Sequence, residues 1–223
     1  MLNKWYLVLL LSAGTWAAEP IKMPPKGAAP VFLSSISFAH DAVGKPPAQF
    51  AFAVTGAGPE VRWEVQEDPL VPGHRHILVQ SGKTEPGENV ALAILKDRVL
   101  QHGEIAVRFR VNSGEDDQSA GIVWRYKDPQ TYYLVRASAK EDACSVYQIK
   151  KGKMKLIDSK PVIIIPYTWH ELRLIFVNKD FTAFVDGELA LGGKDSSYLD
   201  AGQIGLCTLS DSVVRFDDLR VSR

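Results

Sequence analysis

The chain has 223 residues, 46% of them hydrophobic, with 26 basic and 26 acidic side chains and a formal net charge of zero. That length suits one domain with a sizeable core. The charge balance argues against nucleic acid, whose phosphates demand a basic face, and equally against an anionic membrane surface.

Residues 1–17 read as a secretory signal peptide. Lys4 supplies the positive charge, and residues 5–11 form an apolar run well short of the ~20 residues that a membrane span needs. Thr15-Trp-Ala17 supplies a cleavage signal before Ala18. The mature chain is therefore expected to be secreted or periplasmic, without a membrane span. Residues 18–30, rich in Pro, Lys and Ala, read as a flexible leader, and residues 31–223 as a single folded domain.

Strand-like runs then alternate with turn chemistry along the whole domain. They fall at 31–38, 49–55, 61–67, 76–80 and 90–95. The run 104–111 alternates cleanly: Ile105, Val107, Phe109 and Val111 face one way, Arg108 and Arg110 the other. Residues 121–136 hold two strands around Asp128-Pro129, where Asp opens a turn and Pro pre-sets φ. Runs at 145–150 and 154–158 meet across Lys151-Gly152. The run 169–177 puts His170, Leu172, Leu174 and Phe176 on one face and turns through 178–180 into 181–185. Asp186-Gly187 is a two-residue hairpin signal, because a type I′ turn needs positive φ at both positions. Runs at 203–209 and 213–221 close the chain. No window holds helical periodicity with caps, so the pattern predicts an all-β, antiparallel two-sheet sandwich of jelly-roll type.

The two cysteines, Cys144 and Cys207, lie in predicted strand interiors. Export permits a bridge between them; two reduced thiols acting as small buried hydrophobes are the favoured reading.

Several segments share an order: Gly121-Ile-Val-Trp-Arg-Tyr-Lys-Asp-Pro129, Tyr132-Tyr-Leu-Val-Arg136, Val146-Tyr147 with Lys151-Gly-Lys153, Trp169-His-Glu-Leu-Arg173, Phe184-Val-Asp-Gly187, Gly202-Gln-Ile-Gly-Leu206 and Phe216-Asp-Asp-Leu-Arg-Val221. Together, over about residues 45–221, they resemble the concanavalin A-like lectin/glucanase sandwich family, in the branch related to laminin-G-like and 3-keto-disaccharide hydrolase domains of exported bacterial proteins. The resemblance implies a concanavalin A-like jelly roll, sugar as the ligand class on the concave sheet, and a structural calcium ion held in part by Asp217 and Asp218. Calcium takes six to eight oxygens, and only these two are identifiable.

Two function classes follow. The first is an exported, non-catalytic carbohydrate-binding or interaction domain, monomeric, whose partner is a glycan or cell-surface polysaccharide. A sugar site wants an aromatic plate with planar donors beside it. Trp124, Arg125, Tyr126, Tyr132 and Arg136 supply both, with cross-strand packing as the competing role for the aromatics. Strict alternation puts Ile122, Trp124 and Tyr126 on one face and Val123 and Arg125 on the other. Arg136, if buried, needs a carboxylate partner. The second class is a hydrolase acting on a glycoside or 3-keto-glycoside. Paired carboxylates alternating on one strand, the usual arrangement for such chemistry, are absent. The nearest imitation is Glu64-Val-Gln66-Glu67-Asp68, and a site assembled around Glu64, Asp116 or Asp117 from separate strands stays open. His74 and His76 have a zinc-like i, i+2 spacing but no third ligand, and His170 reads as a half-buried, satisfied histidine.

Overall fold

The computed structural model describes residues 34–56, 61–68, 76–82 and 89–223. The expected signal and leader segments lie outside the described residues, as does His74. The described residues belong to one compact unit, Val31–Arg223, and every regular element among them is a strand.

One sheet, A, runs in the order β13 (Glu188–Lys194), β12 (Asp180–Val185), β11 (His170–Val177), β6 (Gly103–Ser113), β15 (Val213–Ser222), β4 (His76–Gln80) and β3 (Trp63–Glu67). The short β1 (Ser34–Ile36) also pairs with β15. The other sheet, B, runs β10 (Lys153–Pro161), β9 (Ala143–Lys150), β8 (Thr131–Ser138), β7 (Ser119–Asp128), β14 (Gly202–Leu209), β5 (Val90–Leu100) and β2 (Phe50–Thr55). The two sheets face each other across one apolar core. Ile105, Val107, Phe109 and Val111 enter it from β6, Leu172, Leu174 and Phe176 from β11, and Ile122, Trp124, Tyr133 and Leu206 from sheet B. The period-2 pattern placed these residues together because successive strand side chains alternate across the sheet.

Turn chemistry behaves as its residues dictate. Asp186 and Gly187 have φ of 50° and 81°, and Lys151 and Gly152 of 53° and 74°, the left-handed pairs of a I′ hairpin. The strand after Asp186-Gly187, β13, had no clear sequence signal. It is exposed at most positions and contains Gly192-Gly193. A Cβ on Gly193 would lie 2.7 Å from the Phe181 ring, so that glycine admits a core aromatic and leaves no alternation to read.

Sheet B also carries a second apolar cluster on the side turned away from sheet A. Val90, Leu92, Ile94, Val123, Tyr132, Leu134, Ile149, Cys207 and Leu209 are all buried there. The β7–β8 hairpin tip is tied to the opposite edge of the sheet: Thr55, the last residue of β2, donates its hydroxyl to Pro129 O (2.6 Å) and accepts from the Tyr132 hydroxyl (2.6 Å). Sheet B is therefore coiled enough for a hairpin three strands away to reach its edge strand.

Both cysteines are free and buried. Cys144 lies in the inter-sheet core and Cys207 in the second cluster, on opposite faces of one sheet. Burial pushes the Cys144 thiol up to about 12 and raises that of Cys207 as well. Native protein should thus be inert to a thiol reagent at pH 8 and release two equivalents only in denaturant; a native equivalent, or a melting midpoint that moves with reductant, would contradict this placement.

Candidate functional site

The five residues expected to form a sugar platform do not share a surface. Trp124 is 2% exposed. It stacks on Tyr133 at 5.1 Å and meets Phe176 and Phe181 at 6.4 and 6.1 Å, so its ring faces are spent on the core. Arg125 sits at φ 51°, in a bulge where the β7 register shifts against β8 and β14. That bulge overturns the expected alternation beyond Trp124. Tyr126 joins the outer cluster, while Arg125 turns inward, its guanidinium 5.8 Å from the Phe176 ring. It donates to the carbonyls of Tyr198, Gln101 and Asn178. Tyr132 is fully buried and bonded to Thr55.

Arg136 has the partner its burial demands. Nη1 meets Asp117 Oδ2 at 2.7 Å and Nη2 pairs with Glu141, with the guanidinium 5.5 Å from the Tyr147 ring. Burial raises the Asp117 carboxyl above its usual range, with Arg136 opposing the shift. The loop carrying Asp117 is folded around Asp211, whose carboxylate accepts the backbone N–H groups of Glu115, Asp116 and Asp117 at 2.7, 3.0 and 3.1 Å. Asp117 is thus built into an ion pair beside sheet B, whereas Glu64 lies on β3 of sheet A; the two do not converge.

The residues expected at a calcium site do not fit one. Asp217 is 1% exposed, and Asp218 sits in a second bulge at φ 50° with its carboxylate 3.3 Å from Arg220. Among the described residues no three His, Cys, Asp or Glu side chains gather as a metal site. The expected result of a chelator titration is an unchanged melting midpoint; a drop of several degrees restored by calcium would reinstate the ion.

His170 is satisfied as expected. Nδ1 lies 2.7 Å from Asp186 Oδ2, and Nε2 accepts the Ile165 N–H at 3.1 Å. Both ring nitrogens are occupied, so the Asp–His pair braces a loop.

A different face gathers polar and aromatic groups: the side of sheet A turned away from the core. Pairing register aligns Glu64, Val79, Arg215 and Arg110 in one row across β3, β4, β15 and β6. Trp169, one residue before the His170–Phe109 pair, continues the row. Gln66, Ile77, Asp217, Arg108 and Glu171 form the next row. The half-buried Trp169 indole lies against Ile77 and Val79, with the guanidinium carbons of Arg110 and Arg108 at 5.0 and 5.1 Å from its ring centroid. Arg110 is anchored by Asp68 at 2.5 Å, which also takes Arg215 at 3.3 Å. At the β3 end, Glu64 accepts Gln66 Nε2 (2.8 Å) and both Arg62 Nε (2.9 Å) and Nη2 (2.8 Å). The Gln66 amide leads in holding the Glu64 carboxyl below its usual range, against desolvation and with help from Arg62. Beside it, Pro46, Phe52, Val61, Arg62 and Trp63 line a pocket of about 300 Å³ between the edges of the two sheets. From β3 to β11 the face spans four strand spacings, about 19 Å. Alternation alone turns Arg108 and Arg110 from the core, whereas Trp169 and Arg215 come beside them only because β11, β6 and β15 meet through long-range pairing.

No protein-family model matches the chain, and no curated protein matches its sequence. Solved structures do share its fold. The carbohydrate-binding module CBM66 from Bacillus subtilis is 15% identical, covers 79% of this chain and 98% of its own, and superposes with a TM-score of 0.61. A second Bacillus subtilis protein, described as having a galectin-like fold, is 13% identical over 76% of this chain and 88% of its own, with a TM-score of 0.56. The cellulose-induced protein Cip1 is 8% identical over 85% of this chain and 96% of its own, with a TM-score of 0.58. The chain is an antiparallel jelly-roll sandwich of the concanavalin A-like kind. At such identities the likeness speaks for architecture alone.

Proposed function

We propose that this is an exported, monomeric, non-catalytic domain that binds a glycan across the outer face of sheet A. The observation that carries the reading is the stack of the half-buried Trp169 indole with the Arg110 and Arg108 guanidinium groups, which lie over its ring at 5.0 and 5.1 Å. Pyranose rings present an apolar C–H face and a fringe of hydroxyls, and an aromatic plate beside planar, hydrogen-bonding groups answers both. Arg62, Glu64 and Gln66 repeat that polar chemistry at the β3 edge, next to Phe52 and Trp63. The carbohydrate-binding module among the structures of like fold agrees in ligand class. Glu64 and Asp68 each serve arginine or glutamine partners, which favours binding over acid catalysis.

One observation favours hydrolysis of a glycoside or 3-keto-glycoside, the activity implied by the laminin-G-like and 3-keto-disaccharide hydrolase branch. Burial raises the Glu104 carboxyl, Glu171 adds to the rise, and Arg173 and Arg220 oppose it. A carboxyl with a raised pKa and a second acidic residue within electrostatic reach is the kind of pair from which glycosidase sites are built.

A glycan array followed by calorimetry tests the first reading. Trp169→Ala is expected to weaken binding at least about tenfold, equivalent to ~1.4 kcal/mol, with the fold intact. Absence of binding across the array, or equal affinity in the variant, would sink it. Release of reducing or 3-keto sugar from a bound glycan, abolished by Glu104→Gln, would establish the second reading instead.

A further inference from the structure

We infer that Tyr167 is a ligand-stacking residue of this same face, an inference that rests on the glycan-binding reading. Tyr167 lies at the head of β11, two residues before Trp169. Its φ is 63°, the left-handed region in which a bulky side chain is an outlier, because Cβ crowds the following carbonyl. Strain of this kind persists only where the surroundings over-determine it.

The surroundings do. The Tyr167 N–H donates to Val111 O at 2.9 Å, and Val162 N–H to Asp142 O at 2.9 Å. Ile164 is buried to 1% exposure as the loop's anchor. The next residue, Ile165, is held through its N–H by His170, itself fixed by Asp186. Every tie is to backbone or to a neighbour. The Tyr167 side chain has no hydrogen bond or ring contact among the described residues, and it is 71% exposed, on a loop that also exposes Ile163 (76%) and Ile165 (57%).

The outcome is an aromatic ring held in solvent two residues before Trp169. Such a ring loses little freedom on binding, offers a face for a sugar's C–H groups, and carries a hydroxyl that both donates and accepts. With Trp169 it makes a two-aromatic end to the face, suited to the terminal unit of an oligosaccharide.

The test pairs stability with binding, using Tyr167→Gly and Tyr167→Asn, residues that adopt positive φ readily. Both variants should melt about 2–4 °C higher as strain is released, and both should bind the array-selected glycan at least fivefold more weakly. Tyr167→Phe should keep the strain and most of the affinity. Wild-type protein that binds a glycan, with Gly and Asn variants binding it equally, would overturn the inference and leave the glycan reading standing. Wild-type protein that binds no glycan sinks that reading and this inference with it. Lower midpoints in both variants would refute the strain argument.

Discussion

Trp124→Ala should lower the melting midpoint by about 6–20 °C, from the 3–5 kcal/mol typical of Trp→Ala in a core and 2–4 °C per kcal/mol for a domain of this size. The indole is 2% exposed and contacts Tyr133, Phe176 and Phe181. Truncation removes one of the two indoles of the inter-sheet core, and close-packed neighbours can only partly fill the gap. Thermal or urea melts measure the loss. At temperatures where both proteins are folded, glycan affinity should be unchanged, because Trp124 and Trp169 belong to opposite sides of the molecule's packing. A near-native midpoint would mean that Trp124 is outside the core.

The second large effect is expected at Arg136. Arg136→Met removes one partner of a buried pair and leaves Asp117 at 8% exposure without its cation. Breaking such a pair typically costs about 3–5 kcal/mol, most of it the stranded charge. The sign with pH follows from the Asp117 carboxyl, already raised by burial with Arg136 opposing. Loss of Arg136 raises it further. An acid whose folded pKa lies above its unfolded value weakens the fold at pH above that folded pKa, and the penalty fades as pH falls through it. The deficit of Arg136→Met relative to wild type should therefore be greatest near pH 7–8 and shrink towards pH 5. Adding Asp117→Asn should recover a large part of it at neutral pH. A deficit independent of pH, or a double variant no better than the single one, would show that packing against Tyr147 dominates.

These two residues also show where the sequence was legible and where it was not. Trp124 lies in the strand expected for it, but on the core face rather than on a sugar platform; both faces of sheet B are apolar, so alternation with Ile122 does not say which one meets sheet A. A second difference begins one residue later. Arg125 adopts positive φ, which nothing in its side chain favours, and the resulting bulge exchanges the faces of Arg125 and Tyr126. A bulge depends on how β7 meets both β8 and β14, so the strand's own residues do not announce it. Arg136 illustrates the converse: burial of a strand arginine demanded a carboxylate, and Glu141, five residues along the chain, supplies one. Asp117 is fixed by a loop whose shape depends on Asp211, 94 residues away.

By itself, the sequence determined the class of fold, the position of most strands, the join at Lys151-Gly152, the I′ hairpin at Asp186-Gly187, and the inward faces of β6 and β11. Each of these rests on local physics: a two-residue side-chain period, or a turn that only certain residues can make. The tertiary structure decided which residues share a surface. Trp169, Arg110, Arg215 and Glu64 come from three strands and the residue preceding β11, and only sheet register sets them in one row, with Arg108 in the next. It also decided that Tyr167 is held at positive φ and aimed at solvent, because the bonds that hold it come from Val111 and from the His170–Asp186 brace. Register and long-range hydrogen bonds are properties of pairs of segments, and no single segment carries them.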